Sequence, residues 1–351
     1  MHLLASGDQS TDACTAGSFA IHPSCEAVPP VSQVSTCLSY ARATPGPKIA
    51  ILLCTFQGGN HLEEQLKSYI TQTHRNWNLQ VSDDGSVDDT LAILRRYKEF
   101  LGADKVLIKE GPKQGFALNF LSLTVSPLTS ADYYAYSDQD DVWEADKLER
   151  AVAWLQTIAP KVPALYCSRT RIIDHQGRSV GMSPLFREPP SFANALVQNI
   201  GGGNTMVFNE TARKLITESL VGNQTVSHDW WAYIVISAFG GELYYDTYPS
   251  VRYRQHSTNL IGSNHSLYAR LFRIRMLVNG RLKNWNDCNI AALQPLEHLI
   301  TAENRQTLRL FAEARKKSVL KRLLMLKRSG VRRQTWISQL SLFIASILGK
   351  L

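Results

Sequence analysis

The chain has 351 residues, of which 44% are apolar and 19% are charged, and its formal net charge is +8. This composition excludes a chain that is disordered throughout and a protein with many membrane spans. The length allows one large domain with an appendage. Nine Lys or Arg residues and no acidic residue lie between Arg315 and Arg333, so the excess positive charge belongs to the C-terminal region.

The N-terminal residues 1–47 are predicted to form a disordered extension. They are rich in Ser, Thr, Ala and Pro and end in the turn signal Pro45-Gly46-Pro47. The first 15 residues lack the basic start and the apolar stretch of a secretory signal peptide, which predicts a cytoplasmic protein.

Apolar runs and helix-like segments alternate from residue 48 onward. Four pairs of a strand and a helix are predicted, at 48–54 and 60–72, 78–82 and 88–101, 105–109 and 115–125, and 132–137 and 144–157. This alternation is typical of a parallel sheet that is covered by helices on both faces.

Shorter strand candidates follow, at 164–168, 204–208 and 242–254, with a helix near 228–238. They indicate an antiparallel edge on the same sheet. The sequence therefore predicts an α/β fold with a mixed, mostly parallel sheet in a catalytic domain that spans 48–262. In open sheets of this type, ligands bind beyond the carboxyl ends of the strands, so the polar residues that follow the strands become the candidate site.

The turn Ser137-Asp138-Gln139-Asp140-Asp141 places three carboxylates directly after an apolar strand. Crowded carboxylates repel one another unless a cation neutralises them, and hard divalent ions such as Mg²⁺ and Mn²⁺ favour oxygen ligands. Asp138 and Asp140 can reach one ion together with a diphosphate. The alternative is that these acids cap the helix that is predicted to begin near Glu144.

A second acidic turn, Ser82-Asp83-Asp84-Gly85-Ser86, follows another predicted strand. A carboxylate fixed at such a turn can accept hydrogen bonds from the N–H of a pyrimidine base or from ribose hydroxyls. The alternative is a turn that caps the next helix through Ser86 or Asp88. Lys113 follows the third strand on the same ligand side, unless it is a solvated loop charge.

These motifs resemble the successive signatures of family 2 glycosyltransferases with the GT-A fold. The resemblance rests on CTFQGGNHL at 54–62, VSDDGS at 81–86 and YSDQDDVW at 136–143, and it covers about residues 48–260. The third motif, joined with HDWW at 228–231 and RQH at 254–256, is most similar to the rhamnosyltransferase-like branch, which builds bacterial surface polysaccharides.

The resemblance implies roles in donor binding for several of the motif residues. Thr55 and Phe56 are expected to line the base pocket, and Asp84 to hold a uracil or thymine ring. Asp83 is expected to lie nearer the ribose, and Lys113 is expected to face the donor as well.

The resemblance also implies a metal site for Mg²⁺ or Mn²⁺. Asp138 and Asp140 match the Asp-x-Asp motif that binds the metal diphosphate. His256 lies where the fold often supplies a third metal ligand, with a structural histidine as the alternative.

Asp229 matches the position of the family's catalytic base, which takes the proton of the acceptor hydroxyl as the anomeric centre is inverted. His228 replaces the Glu of a Glu-Asp pair that is common in the family, and the alternative for Asp229 is a helix-start residue. Trp230 and Trp231 either stack on a sugar face or pack the helix against the sheet. The loop 201–204 is either a tight loop near the donor sugar or a flexible turn.

The C-terminal region 263–351 is predicted to be helical and basic. Apolar residues lie among Lys and Arg at roughly helical spacing in 313–328, which predicts a basic amphipathic helix at the inner face of the cell membrane. The alternative is a solvated helix that packs on the catalytic domain. The terminal apolar run 336–348 is too short for a confident span. Nucleic acid is not an expected partner, because no aromatic residues interleave with the basic run and no known module is present.

The sequence therefore predicts an inverting, metal-dependent glycosyltransferase. It is expected to move a sugar, with L-rhamnose from its thymidine diphosphate as a candidate, to a glycan or lipid-linked acceptor. Two alternatives are a catalytically inactive GT-A-fold carbohydrate-binding protein and a metal-dependent nucleotidyltransferase. The intact acids argue against the first, and the lack of a basic residue from Thr55 to Asn60 argues against the second.

Overall fold

The computed structural model describes residues 46–220, 225–255 and 280–351. The expected disordered extension therefore lies outside the described residues, except for Gly46 and Pro47. His256 and the expected domain boundary at residue 262 lie outside them as well.

The described residues form nine strands and eleven α-helices. The strands are β1 (Ile49–Thr55), β2 (Trp77–Asp83), β3 (Val106–Glu110), β4 (Tyr133–Ser137), β5 (Val142–Trp143), β6 (Ala164–Ile173), β7 (Ser179–Met182), β8 (Val207–Asn209) and β9 (Glu242–Arg254). The helices are α1 (Leu62–Ile70), α2 (Thr90–Leu101), α3 (Phe116–Val125), α4 (Lys147–Leu155), α5 (Phe192–Ala195), α6 (Glu210–Ser219), α7 (His228–Ala238), α8 (Arg281–Leu293), α9 (Ala302–Ala314), α10 (Val319–Ser329) and α11 (Trp336–Ile347).

The nine described strands form one sheet with the order β3-β2-β1-β4-β8-β6-β9-β5, and β7 pairs with β6. The longer pairings are parallel: β1 lies between β2 and β4, β3 lies beside β2, and β6 lies beside β9. The shorter strands β5, β7 and β8 run antiparallel to their neighbours. The predicted mixed, mostly parallel sheet is confirmed.

The apolar run of β1 lies between two hydrophobic cores, one on each face of the sheet. Ala50, Leu52 and Cys54 belong to one core, whereas Ile49 and Ile51 belong to the other. This division follows from the alternation of side chains along a strand, and it explains why β1 reads as a continuous apolar run.

The helix that was expected near 144–157 begins later, at Lys147. Residues 142 and 143 instead form β5, which pairs with Val251 and Arg252 of β9. The strand expected at 204–208 also begins later, because residues 203–205 form a 3-10 turn before β8. α6 has no counterpart in the sequence prediction, although its start is marked by Asn209, whose side chain accepts the N–H of Ala212.

The C-terminal helices α8 to α11 share the core of the sheet. Buried Leu293, Phe311 and Leu342 belong to the same hydrophobic cluster as Trp230 and Leu196. One basic helix was expected at 313–328, but this segment is divided between two helices. α9 ends at Ala314 and α10 begins at Val319. In the part of the chain that the structure describes, no helix combines the length and the apolarity needed to span a membrane.

Candidate active site

Three strand ends meet at the carboxyl edge of the sheet. In the register of the parallel strands, Thr55 at the end of β1 lies opposite Asp83 of β2, and Leu53 lies opposite Ser137 of β4. The turns that follow these strands are therefore neighbours in space, as the sequence predicted. They carry most of the candidate donor and metal residues.

The Asp83 carboxylate is held inside the first of these turns. It accepts hydrogen bonds from Thr55 Oγ1 at 2.7 Å and from the backbone N–H and the hydroxyl of Ser86 at 2.8 and 2.6 Å. Both Thr55 and Asp83 are buried. Asp83 therefore links the ends of β1 and β2 and fixes the position of its neighbour Asp84.

The Asp84 carboxylate connects the end of β2 to the loop after β3. Its Oδ1 accepts the N–H of Lys113 at 2.6 Å, and its Oδ2 accepts the N–H of Gly115 at 2.9 Å. A Cβ atom at Gly111 would lie 2.8 Å from Asp84 Oδ1, so the close approach of this loop requires glycine. Lys113 has a φ of 56°, and its exposed side chain passes beside Gly85.

Gln139 ties the acidic turn after β4 to the loop after β1. Its Oε1 accepts the N–H of Phe56 at 2.8 Å, and its Nε2 donates to the Phe56 carbonyl at 2.9 Å. The Phe56 ring is 56% exposed. An exposed aromatic ring, whose backbone is held by Gln139, thus lies at the edge of the acidic turn.

The Asp141 carboxylate is fully buried and joins three segments of the chain. It accepts hydrogen bonds from Asn204 Nδ2 and, at 3.1 Å, from the backbone N–H of Arg254. Burial and the charge of Asp140 raise the pKa of Asp141 to about 8. The helix-cap alternative for this turn is wrong, because α4 begins at Lys147, six residues after Asp141, and has no side-chain cap.

The Arg254 guanidinium binds the backbone of the acidic turn. It donates from Nε to the Asp140 carbonyl at 3.0 Å and from one terminal nitrogen to the carbonyls of Asp174 and His175 at 3.3 and 3.2 Å. Its other terminal nitrogen pairs with the carboxylate of Glu64. Only 2% of Arg254 is exposed, so one buried cation fixes the backbone of Asp140.

Asp138 lies among other carboxylates. Burial, followed by the charges of Asp141, Asp140 and Asp229, holds the pKa of Asp138 well above its usual range. Within residues 46–220, 225–255 and 280–351, no group of three or more His, Cys, Asp or Glu side chains is arranged to hold a metal ion. The expected third ligand His256 lies outside these ranges.

Asp229 is held at the start of α7 by the loop that precedes β8. Its Oδ2 accepts hydrogen bonds from Asn199 Nδ2 at 2.9 Å and from the backbone N–H of Gly203 at 3.1 Å. A Cβ atom at Gly203 would lie 2.5 Å from His228 Nε2, so this approach requires glycine. The next residue in the loop is Asn204, which donates to Asp141, and the loop therefore connects Asp229 to the acidic turn.

The residues around Asp229 are packed in the core. His228 stacks on Phe120, with ring centroids 4.0 Å apart, and burial lowers its pKa to about 4. Trp230 and Trp231 are buried and donate from their indole nitrogens to the Ala195 carbonyl and the Ser219 hydroxyl. Of the two alternatives for the tryptophans, packing is confirmed and stacking on a sugar is wrong.

The structure thus brings together all of the predicted site residues that it describes. Thr55, Asp83, Asp84 and Lys113 lie around the ends of β1, β2 and β3. The remaining residues lie around the turn after β4, to which Gln139 ties Phe56. Sequence reasoning missed the side chains that connect these parts: Gln139, Asn199, Asn204 and Arg254. Of these, Gln139 and Arg254 lay inside motifs and Asn204 lay in the loop 201–204, whereas Asn199 carried no sequence signal.

This sheet, with acidic turns at the carboxyl ends of its strands, has the GT-A fold. Residues 50–212 match the family model "Glycosyl transferase family 2". This part of the chain, which carries the turns after β1, β2 and β4, is therefore similar to family 2 of the glycosyltransferases.

Two curated relatives and one solved structure show the extent of this similarity. The dTDP-rhamnosyl transferase RfbG of Shigella flexneri is 28% identical over 65% of this chain and 79% of its own length. The putative glycosyltransferase EpsE of Bacillus subtilis is 32% identical over 32% of this chain and 39% of its own length. The structure of S. aureus TarS 1-349 in complex with UDP-GlcNAc matches this chain with a TM-score of 0.50 and 14% identity. The match covers 81% of this chain and 90% of the TarS chain.

We expect the Arg254→Lys variant to be less stable than the native protein by about 2–4 kcal/mol, because an ammonium group cannot serve the three carbonyls and Glu64 together. The matched control is Arg252→Lys. Arg252 is partly exposed and pairs with Glu144 at the surface, so this change should cost less than about 1 kcal/mol. Urea denaturation of both variants measures the difference. Equal midpoints would contradict the structural role of Arg254.

Proposed function

We propose that this glycosyltransferase moves a sugar from a nucleoside diphosphate to a hydroxyl group of a glycan or lipid-linked acceptor, with inversion at the anomeric carbon. The observation that carries this proposal is the loop before β8. Gly203 donates to Asp229, and Asn204 donates to Asp141, so one short segment fixes a candidate base beside the acidic turn. A single displacement requires the base for the attacking hydroxyl and the site for the departing diphosphate to be held next to each other.

The nucleoside is proposed to bind across the ends of β1 and β2. The exposed ring of Phe56 offers a face to the base, and each oxygen of Asp84 has one described backbone donor. Because a carboxylate oxygen has about two lone-pair directions, Asp84 retains acceptor capacity for a base N–H. Thr55 and Asp83 are buried and hydrogen-bonded to each other, so their proposed role is to hold this turn in position. The exposed cation of Lys113 beside Gly85 suits the diphosphate.

The metal is proposed to bind to Asp138 and Asp140, and it is Mg²⁺ or Mn²⁺. The donor set fits such an ion, because carboxylate oxygens are its preferred ligands and the crowding of Asp138 with three other acids favours a cation. Asp141 is better suited to a structural role, since both of its oxygens accept described hydrogen bonds. A bound divalent ion supplies charge neutralisation for the leaving diphosphate. His256 is proposed as the third ligand.

Asp229 is proposed to be the general base. As the acceptor oxygen forms its bond to the anomeric carbon, the bond from that carbon to the diphosphate breaks, and the hydroxyl proton passes to Asp229. Oδ2 is occupied by Asn199 and Gly203, whereas Oδ1 accepts one N–H among the described residues, that of Trp230. Oδ1 is therefore the oxygen that faces the acceptor.

The donor to be tested first is dTDP-L-rhamnose. The support for this choice is the identity of 28% with a dTDP-rhamnosyl transferase, which extends over 79% of that relative. The acceptor is proposed to be a growing surface glycan on a lipid carrier, as in the branch that the motifs resemble.

The purified chain should release a nucleoside diphosphate from its donor only when Mg²⁺ or Mn²⁺ and an acceptor are present. A panel of nucleotide sugars with a lipid-linked acceptor, with dTDP-L-rhamnose included, provides the measurement. Asp140→Ala should lower the rate by about 10²-fold or more. Asp104→Ala, a change to an exposed loop carboxylate, is the control and should leave the rate unchanged. Release that is independent of the metal and of Asp140 would refute the proposal.

The Asp229→Asn variant should bind the donor as the native protein does but transfer the sugar roughly 10² to 10⁴-fold more slowly, because it removes the base alone. The amide oxygen can keep the contacts with Asn199 and Gly203, so the hydrogen bond from the N–H of Trp230 is the one that is lost. Calorimetry measures donor binding, and the transfer assay measures kcat. If transfer is unchanged, Asp229 is not the base. If donor binding is lost as well, its role is structural.

A further inference from the structure

The last helix, α11, is packed with its less apolar face toward the protein. It contains no charged residue. Leu342, Ala345 and Ser346 are buried, so a leucine and two small side chains make the contact with the core. A helix that stabilised a soluble domain would turn its large apolar residues inward. α11 does the opposite.

The outward face of α11 carries seven large apolar residues within and just after the helix. They are spaced one, three or four apart, which places them along one side. They are exposed by 43% to 77%: Trp336, Ile337, Leu340, Phe343, Ile344, Ile347 and Leu348. We call these residues the α11 face. A contiguous exposed apolar surface of this kind marks an interface with a partner or a membrane.

Basic residues lie at both ends of the α11 face. Arg332 and Arg333 precede the helix, and Lys350 follows it. Arg322 donates to the Ser346 carbonyl at 2.5 Å and to the Lys317 carbonyl at 2.8 Å, which brings the basic 315–318 segment near the C-terminal end of α11. Residues 315–351 contain ten Lys or Arg and no Asp or Glu.

The neighbouring helix α10 has the same combination of side chains on its surface. Leu320 and Leu324 are 71% and 54% exposed. The exposed cations Lys321, Lys327 and Arg328 lie on the same helix. α10 packs against α11. Apolar residues that are interspersed with cations are typical of helices that lie in the plane of a membrane surface.

The length of α11 is compatible with a position on a bilayer and not across it. Twelve residues of α-helix extend about 18 Å, whereas the hydrocarbon core of a bilayer is about 30 Å thick. A helix of this length can place its apolar side chains below the headgroups while its buried face stays on the protein.

We propose that the α11 face docks on an anionic lipid bilayer, with Trp336, Leu340 and Phe343 below the headgroups and the surrounding Lys and Arg residues among them. A second copy of this chain is a poorer occupant, because its own basic region would face that of the first copy. An anionic bilayer satisfies the apolar face and the positive charge together. The inference is independent of which sugar the enzyme transfers.

The test is cosedimentation of the full chain with vesicles rich in phosphatidylglycerol and with vesicles of phosphatidylcholine alone. The triple variant Leu340→Gln, Phe343→Gln, Ile347→Gln should bind the anionic vesicles at least about tenfold more weakly. All three side chains are exposed, so the fold should be unaffected, and thermal melting checks this. The control is Leu299→Gln, which changes a 55% exposed leucine outside the basic region and should bind as the native chain does.

Native binding should also weaken as salt is raised and should be weaker on the uncharged vesicles. Donor binding, measured by calorimetry without vesicles, should be the same in all variants, which separates this test from that of the catalytic proposal. Equal vesicle binding by the triple variant and the native chain would overturn the proposal. A native dimer that becomes a monomer in the triple variant, without vesicle binding by either, would assign the face to a second copy instead.

Discussion

The site depends on the burial of one carboxylate, that of Asp141. Taking a carboxylate out of water is costly unless hydrogen bonds replace its hydration. Here the partners are the side chain of Asn204, which precedes β8, and the backbone of Arg254, which ends β9. Because the carboxylate needs both, the turn after β4, the loop before β8 and the end of β9 must meet at one point. The turn carries Asp138 and Asp140, which are proposed to bind the metal, and the loop holds Asp229, the proposed base.

The same arrangement explains how a candidate base is held still. Asp229 lies on the first turn of α7, a helix in which Trp230, Trp231 and Tyr233 are buried in the larger core. Its carboxylate is then fixed by a backbone N–H and an amide from the loop before β8. Groups held by rigid elements and by supporting hydrogen bonds need little reorganisation during a reaction. The absence of a side chain at Gly203 is part of this support, since any Cβ there would collide with His228.

Much of the fold could be predicted from local patterns. The apolar runs of β1, β2 and β4 and the polar turns after them identified the sheet, its ligand edge and most of the candidate site. α6 was missed because its start is marked by a single capping residue, Asn209, whose side chain looks like any other polar loop residue. α4 was predicted to start too early, because the residues before it pair with β9, a long-range contact that local patterns do not report.

The connecting side chains could not be predicted for a physical reason. A buried Asn or Arg finds its partner far away in the chain, as Asn204 does with Asp141 and Arg254 does with Glu64. Periodicity reports which face of an element is apolar, and it does not report which carboxylate a distant amide will meet. The orientation of α11 was hidden for a related reason, because only the packing shows that its large apolar residues point away from the core.

The central claim is that the acidic turn binds a divalent ion together with the donor's diphosphate. Electron paramagnetic resonance of Mn²⁺, titrated with the chain in the presence of a nucleoside diphosphate, tests this claim directly. The account predicts about one bound Mn²⁺ per native chain, and none in a variant that lacks the Asp140 carboxylate. Equal Mn²⁺ binding by the two proteins, or no binding by either, would contradict it.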